Sequence, residues 1–578
     1  MKKEAYSRRD FLRLSWSVTA GLTVPTVLTA CGGGGDSTPW PAETFVEPKA
    51  YESDRGRLDI TLNLAYLQTT LYGKPAKLRN WFGTIPAPTL KINVGDTLRI
   101  LLVNSLPPNP PSTEPTRHLR YHNSTNLHTH GLHVSPGLVA PGVYGDYVMD
   151  DPQLGVQPGE SRQHEYRIRF DHAPGTYWYH PHLHGSSAMQ VASGMAGALL
   201  IKGAIDAVPE IAAAKDRVFV FQAPVADASG VLESFSTVAN NPSGEPDFLI
   251  NGVRRPRLVM RRGEVQNWRF INAAIFKFLN LSLDGHVLNI YSHDGNPRRN
   301  LLPSGPFPPE SPTLNNGVVL APANRSSVLV QAGAAGTYYL RTMKFQTGAE
   351  RSTSAEDIVA EVVVVDDPLP MSLPTGPLPV IPFLAPITDE EFAAAGGLSR
   401  YIVLNVAFNP PPGPGQPNPP ITNPPASDVI HPGAELNDWV YQTDDTSINQ
   451  HVYTIGAAGE NASQSPGMPK EFIPWQSSRA LKQTVALDSV EEWTIFNMNN
   501  IRHPFHIHVN PIEIIKINGK PVERFWADTV ALPNGGTASA PTSVTFRTRF
   551  RHFAGTYVMH CHMLVHEDMG MMQTVDVV

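Results

Sequence analysis

The feature that most constrains this chain is that it repeats itself at the scale of a domain. The segment Pro88-Thr89-Leu90-Lys91-Ile92-Asn93-Val94-Gly95-Asp96-Thr97-Leu98-Arg99-Ile100 recurs loosely as Pro256-Arg257-Leu258-Val259-Met260-Arg261-Arg262-Gly263-Glu264-Val265-Gln266-Asn267-Trp268. A fainter third copy is Val485-Ala486-Leu487-Asp488-Ser489-Val490-Glu491-Glu492-Trp493. Each copy alternates apolar and polar positions around a tight turn, the pattern of paired strands with one buried face. A second landmark, Gly-Thr-Tyr, occurs at 175–177, 336–338 and 555–557, each time ending a domain-sized stretch. The expectation is an all-β chain of three β-sandwich domains, at 45–205, 214–366 and 396–578. Proline agrees: 55 of the 578 residues are proline, about twice ordinary usage, which breaks helices but suits turns and edge strands. The proline-studded stretch 367–395 reads as a linker, and 409–425 as an irregular surface insertion.

Net charge is −7, but residues 1–30 carry five basic residues (Lys2, Lys3, Arg8, Arg9, Arg13) against Glu4 and Asp10, which leaves the rest at −10. An acidic body without a Lys/Arg run excludes a nucleic-acid partner. The first 30 residues read as an export signal: paired arginines before a short, weakly apolar stretch that is too polar to span a membrane. Arg8-Arg9 resembles a twin-arginine signal, and Leu28-Thr29-Ala30-Cys31 a lipobox, with 31–44 as a flexible tether beginning in four glycines. That implies a lipid-anchored protein in the periplasm or at the cell surface. With Cys31 acylated, Cys561 is the one thiol left, and metal ligation would protect it. Two cysteines in all exclude a disulfide framework, a tetrathiolate zinc site and ordinary iron–sulfur ligation.

The 21 histidines concentrate in four clusters: His128-Thr129-His130, His180-Pro181-His182, His503-Pro504-Phe505-His506-Ile507-His508, and His560-Cys561-His562 with His566 and Met571 close behind. In a strand, residues i and i+2 share a face, so each His-x-His pair aims two imidazoles at one site. In His560-Cys561-His562 the imidazoles face one way and the thiolate the other, so one strand touches two metal sites. Cys561 with His503 and His566 is a two-nitrogen, one-sulfur set, and Met571 can take a weak axial place; that combination indicates blue copper. The other eight histidines form an all-imidazole set with no carboxylate, which suits copper better than magnesium, calcium or manganese. Zinc also accepts imidazole but has no use for a redox relay. His133, His184 and His552 lie off the ligand spacing. The repeats give an internal control. Where the outer copies have His180 and His560, the middle one has Arg341; where the third has His506-Ile507-His508, it has Asn280-Leu281-Ser282. The middle domain reads as a spacer, with the shared cluster between domains one and three.

These four motifs, in this order, resemble those of the three-domain multicopper oxidases, the laccase-like family built from Greek-key cupredoxin domains. The resemblance implies four copper ions: type 1 on His503, Cys561, His566 and Met571; type 2 on His128 and His506; a type 3 pair on His130, His180, His182, His508, His560 and His562. It implies an oxidoreductase that takes single electrons from a small reducing substrate, a phenol or a metal ion, and reduces dioxygen to water, acting as a monomer. Electrons would pass through Cys561 to His560 and His562. It also implies proton-relay acids at Asp150 and Glu567, and that Thr129, pointing away from the ligands, matters little. The alternatives are a metallo-oxidase of Cu(I), Fe(II) or Mn(II), which needs soft or acidic ligands beside the type 1 site, and a copper-carrying lipoprotein without catalysis.

Overall fold

The computed structural model describes residues 43–109, 121–149, 155–233, 235–240, 248–304, 317–348, 356–408, 451–457, 482–537 and 540–578. The signal, Cys31, the tether up to residue 42, Asp150 and the insertion 409–425 lie outside the described residues.

Six sheets form three pairs. The first pair draws its strands from Ala50–Glu52 through Gly197–Lys202, the second from Lys215–Gln222 through Asp357–Val365, the third from Ser399–Phe408 through Met572–Val577. Neighbours within a sheet are often distant in sequence. Arg57–Leu71, for example, runs parallel to Thr97–Asn104 and antiparallel to Lys74–Trp81. That crossing order is the Greek-key signature of a closed two-sheet sandwich.

Alternation in the sequence becomes alternation in burial. In Arg57–Leu71 the side chains of Leu58, Ile60, Leu62 and Leu64 turn inward, and in Thr97–Asn104 those of Leu98, Ile100 and Leu102 do. They meet Trp81, Leu90, Ile92, Tyr179 and Leu199 to fill the first sandwich. Phe219, Trp268, Phe270, Leu281, Leu340 and Val362 fill the second, and Trp493, Ile495, Phe505, Ile507, Phe546 and Tyr557 the third. The turn of the repeat needs a left-handed residue: Gly95 (φ +89°) and Gly263 (φ +82°) supply it in the first two copies. Asp488 (φ +63°) does so in the third, an allowed choice for a short polar side chain and the reason that copy is fainter.

Between the second and third sandwiches the chain runs over the surface of the body. Ile381, Phe383 and Leu384 bury themselves with Ala173 of the first sandwich. A single-turn helix, Asp389–Ala394, follows, capped by Thr388 Oγ1, which accepts from the Glu391 amide at 3.1 Å. Among the described residues no helix is long and apolar enough to cross a membrane.

Candidate metal centre

Two strand pairs carry the histidines. Gly175–His180 runs antiparallel to His128–His130, setting His180 opposite His128 and Trp178 opposite His130. In the third sandwich Gly555–Cys561 runs antiparallel to Pro504–Ile507, setting His560 opposite His506 and Cys561 opposite Phe505. The same local architecture is used twice, and the two copies face each other. His130 stacks on His506 with ring centroids 3.8 Å apart, and His128 on His508 at 3.9 Å. Trp178 lies flat against His180 at 4.1 Å and fixes its ring plane.

This juxtaposition resolves the donors into compact sets whose ligating atoms lie within 4.8 Å of one another. His130, His180 and His562 make one trio, and His182, His508 and His560 a second. His128 and His506 remain as a pair, grouped with His130. His503, Cys561 and His566 form a separate set, with Sγ 3.4 Å from His503 Nδ1 and 3.7 Å from His566 Nδ1. Met571 is fully buried in the same core cluster, and its carbonyl accepts from the Cys561 amide at 3.1 Å. The middle sandwich contributes to none of these sets among the described residues.

Ring orientation shows what the sites are built to hold. Each imidazole has two nitrogens, and in many of these rings the outward one has a protein acceptor while the inward one has none. His128 Nδ1 donates to Asp146 Oδ2 at 2.8 Å, His180 Nδ1 to the Pro181 carbonyl at 2.9 Å, and His506 Nδ1 to the Asp528 carbonyl at 2.8 Å. Their Nε2 atoms, and Nδ1 of His130, are buried without a hydrogen-bond partner. The Nε2 atoms of His182 and His508 approach Nε2 of His560 at 3.1 and 3.3 Å. Nitrogens converging at that distance must either share a proton or surround a cation. Burial, reinforced by the neighbouring imidazoles, holds His128, His130, His506, His508 and His562 well below the ordinary histidine range, and His180 at about 3. They are therefore neutral, the form that ligates. Burial, with the charge of Glu567 adding to it and a Met563 backbone hydrogen bond opposing, pushes the Cys561 thiol up, so a soft cation is what makes a thiolate there. Neutral imidazoles plus one thiolate fit copper.

Acids surround the cluster. Glu567 is fully buried, with Oε2 3.0 Å from His560 Nδ1 and Oε1 3.6 Å from His182 Nδ1. Burial raises its pKa, but those two imidazoles outweigh it and hold the carboxyl below the usual range. The sequence pointed to Asp150 as the second acid; that residue lies outside the described ones, and the carboxylate found against the cluster is Asp146. Asp146 accepts from His128 Nδ1, from the Thr129 amide at 2.7 Å and from Thr129 Oγ1 at 3.0 Å, and lies 3.7 Å from His508 Nδ1. Burial pushes it up to about 7, with the Thr129 bonds opposing. Thr129 is thus not the neutral position expected: it points away from the ligands, and there it anchors Asp146. Asp146 directly follows Gly145, where a side chain would strike the Ser135 carbonyl at 2.2 Å; that Gly-Asp step was the available signal. Asp528, also missed, touches His130 Nε2 at 3.1 Å. Off the cluster, His133 bonds to the Val509 carbonyl and to His552 Nδ1, and His184 is buried.

Family models described as multicopper oxidase match residues 116–205, 225–361 and 442–578, together more than half of the chain. The chain belongs to the multicopper oxidase family. It is a copper-using oxidoreductase that spends reducing equivalents on dioxygen. A multicopper oxidase from Staphylococcus aureus is 24% identical over 541 residues, covering 92% of this chain and 91% of that one. Laccase-4 of Thanatephorus cucumeris is 24% identical over 503 residues, covering 83% and 82%. Among solved structures, the Campylobacter jejuni multicopper oxidase described as a metallo-oxidase superposes with a TM-score of 0.63 at 21% identity, covering 93% of this chain and 98% of that one. Fet3p, described as functioning in iron import, gives 0.56 at 15% identity, covering 90% of each chain. These superpositions establish the shared fold of three cupredoxin-like sandwiches.

Proposed function

We propose that this multicopper oxidase is laccase-like, taking single electrons from a phenol or similar small organic reductant. The observation that carries the reading is the strand end His560-Cys561-His562, whose thiol lies in one three-donor set and whose imidazoles lie in two others. On this reading His503, Cys561, His566 and Met571 hold a type 1 copper, His128 and His506 a type 2, and the two histidine trios a type 3 pair. Bound copper supplies one-electron oxidation of the donor beside Cys561 and reduction of dioxygen to water beside the eight imidazoles. The protein's part is geometric and protonic. Trp178 and the carbonyls of Pro181 and Asp528 orient rings, and complete burial excludes bulk water from the histidines. Reducing dioxygen to water consumes four protons; beside the cluster Asp146, raised by burial, can hold one, and Glu567, ionised with Oε2 facing His560 Nδ1, can pass one on, while Asp528 is tied up by Arg325.

An organic donor is favoured over a metal ion by what surrounds His566. Met563, Met569, Met571 and Met572 are all buried, so none presents a thioether to an arriving cuprous ion. Asp568, which could have served a metal cation, is buried and accepts the Gly185 and Ala188 amides at 2.6 and 2.7 Å. Phe276, buried edge-on to the His566 ring at 5.5 Å, makes that ligand's surroundings apolar rather than metal-binding. The test is oxygen uptake by copper-loaded protein with a phenol, Cu(I), Fe(II) and Mn(II) in parallel. Fastest turnover with the phenol is expected; turnover confined to one metal ion would make the protein a metallo-oxidase, and none at all, despite full copper, a carrier. We further propose that Arg8-Arg9 directs twin-arginine export and that Cys31 is acylated. Incorporation of labelled palmitate that disappears in Cys31→Ala would support the anchor, and unchanged incorporation would refute it.

A further inference from the structure

The middle sandwich holds no ligand set, yet it reaches the cluster. Arg325, at the start of the strand Arg325–Gln331, is completely buried. Its guanidinium grips Asp528 of the third sandwich with two prongs, Nη1 to Oδ1 at 2.8 Å and Nη2 to Oδ2. Its Nε donates to the Thr176 carbonyl of the first sandwich at 3.2 Å. One side chain therefore ties all three sandwiches together. Asp294, equally buried and also in the middle sandwich, accepts from the Arg325 amide at 2.9 Å and from the Thr529 amide at 3.1 Å. Asn324 completes the brace, donating to Asp294 and, at 2.9 Å, to the Thr529 carbonyl.

What is braced is the dipeptide Asp528-Thr529, and it sits on two of the histidines. Asp528 Oδ1 accepts from His130 Nε2 at 3.1 Å, and its carbonyl accepts from His506 Nδ1 at 2.8 Å. Thr529 Oγ1 lies 3.2 Å from His130 Nε2, 3.1 Å from His506 Nδ1 and 2.9 Å from Asp528 Oδ1. These contacts decide which nitrogen of each ring stays free: Nδ1 in His130, Nε2 in His506. A glycine is required where the clamp passes. Gly131 has φ +85°, and a Cβ there would lie 2.5 Å from both Arg325 Nη2 and Asp528 Oδ2.

We propose that Arg325, seated by Asp294, is a positioning residue for the oxygen-reducing centre. Through Asp528 and Thr529 it sets the tautomer and aim of His130 and His506, so the middle sandwich is a working part of the cluster rather than a spacer. The inference rests on the ligand reading given above. A generic buried ion pair would predict only lost stability when it is altered; a positioning role predicts that the copper on these two histidines changes while that on Cys561 does not.

The test compares copper-loaded wild type with Arg325→Lys, which keeps the charge but loses the fork, and with Arg325→Met/Asp528→Asn, which removes both charges of the forked pair and leaves Asp294 in place. The readouts are copper retained against a chelator and the hyperfine splitting of the type 2 paramagnetic signal, with blue absorbance as internal control. The expected result is weaker retention of the non-blue copper, by about 10–100-fold, and a shifted type 2 signal, with the blue band intact. Wild-type retention and signal in both variants, with only a lower melting temperature, would overturn the proposal. Should neither variant fold, Asp294→Asn carries the same test, because it loosens the brace but leaves the Arg325–Asp528 pair. A wild type lacking any type 2 signal would instead overturn the ligand reading itself.

Discussion

Replacing Asp146 by asparagine isolates one acid from the rest of the site. The carboxylate accepts three hydrogen bonds, from His128 Nδ1, Thr129 N and Thr129 Oγ1, at 2.7–3.0 Å and out of contact with water. Asparagine has one acceptor oxygen and one donor group on the same fork. If the oxygen stays with Thr129, the amide N–H faces His128 Nδ1, and that nitrogen must become an acceptor. The proton then moves to Nε2, the atom needed for a ligand. Losing one charge-assisted bond costs about 1.5–3 kcal/mol, equivalent to roughly 10–150-fold in the affinity of the copper His128 would hold. The partners of Asp146 are His128, Thr129 and His508, which belong to or flank the imidazole cluster and not the Cys561 set, so the blue band should be untouched. The assay is steady-state oxygen uptake beside visible and paramagnetic spectra. Turnover should fall at least tenfold, with full blue colour and a weakened type 2 signal. Wild-type turnover and type 2 copper in Asp146→Asn would refute the reasoning.

Gly131→Ala should be severe for its size. A non-glycine residue at φ +85° costs about 1–2 kcal/mol, and splitting the buried Arg325–Asp528 pair adds about 3–5 kcal/mol; a urea midpoint within error of wild type would contradict the clamp geometry. Stability should fall with acid through histidines that bind no copper. Burial holds His164 and His172 at about 4, against about 6.5 in the unfolded chain, so below that value only the unfolded state gains their protons. Each should cost up to about 3 kcal/mol between pH 6.5 and 4, and His172→Gln should flatten the urea-midpoint profile over that window; an unchanged slope would remove the assignment. Stripping the copper should lower the melting temperature, since removing a ligand held at 1,000 times its Kd forfeits about 4 kcal/mol; identical melting of stripped and loaded protein would show that the histidines bind nothing.

The parts of this protein that were legible in its sequence are those encoded locally. Alternating apolar residues in Arg57–Leu71 and Thr97–Asn104 announce half-buried strands, and His-x-His spacing places two imidazoles on one strand face. Harder to read was anything that depends on distant segments meeting. Asp528 and Arg325 are 203 residues apart, and Asp528 and His130 are 398 apart. Asp146 and Asp150 are four residues apart in sequence, and spacing alone does not single out Asp146 as the partner of His128. The reading of the middle sandwich as a spacer met the same limit. Its lack of ligands was visible in Asn280 and Arg341, but the reach of Asp294 and Arg325 into the neighbouring domains was not.

The central claim is that Cys561 serves a separate copper, joined by its own peptide neighbours to the oxygen-reducing imidazoles. Its most direct test is the visible spectrum and copper content of loaded wild type beside Cys561→Ser. Wild type should bind four ions and absorb strongly at about 600 nm, while the serine variant should lose that band and one ion but keep the other three. A wild type without the band, or a variant that retains it, would contradict the account.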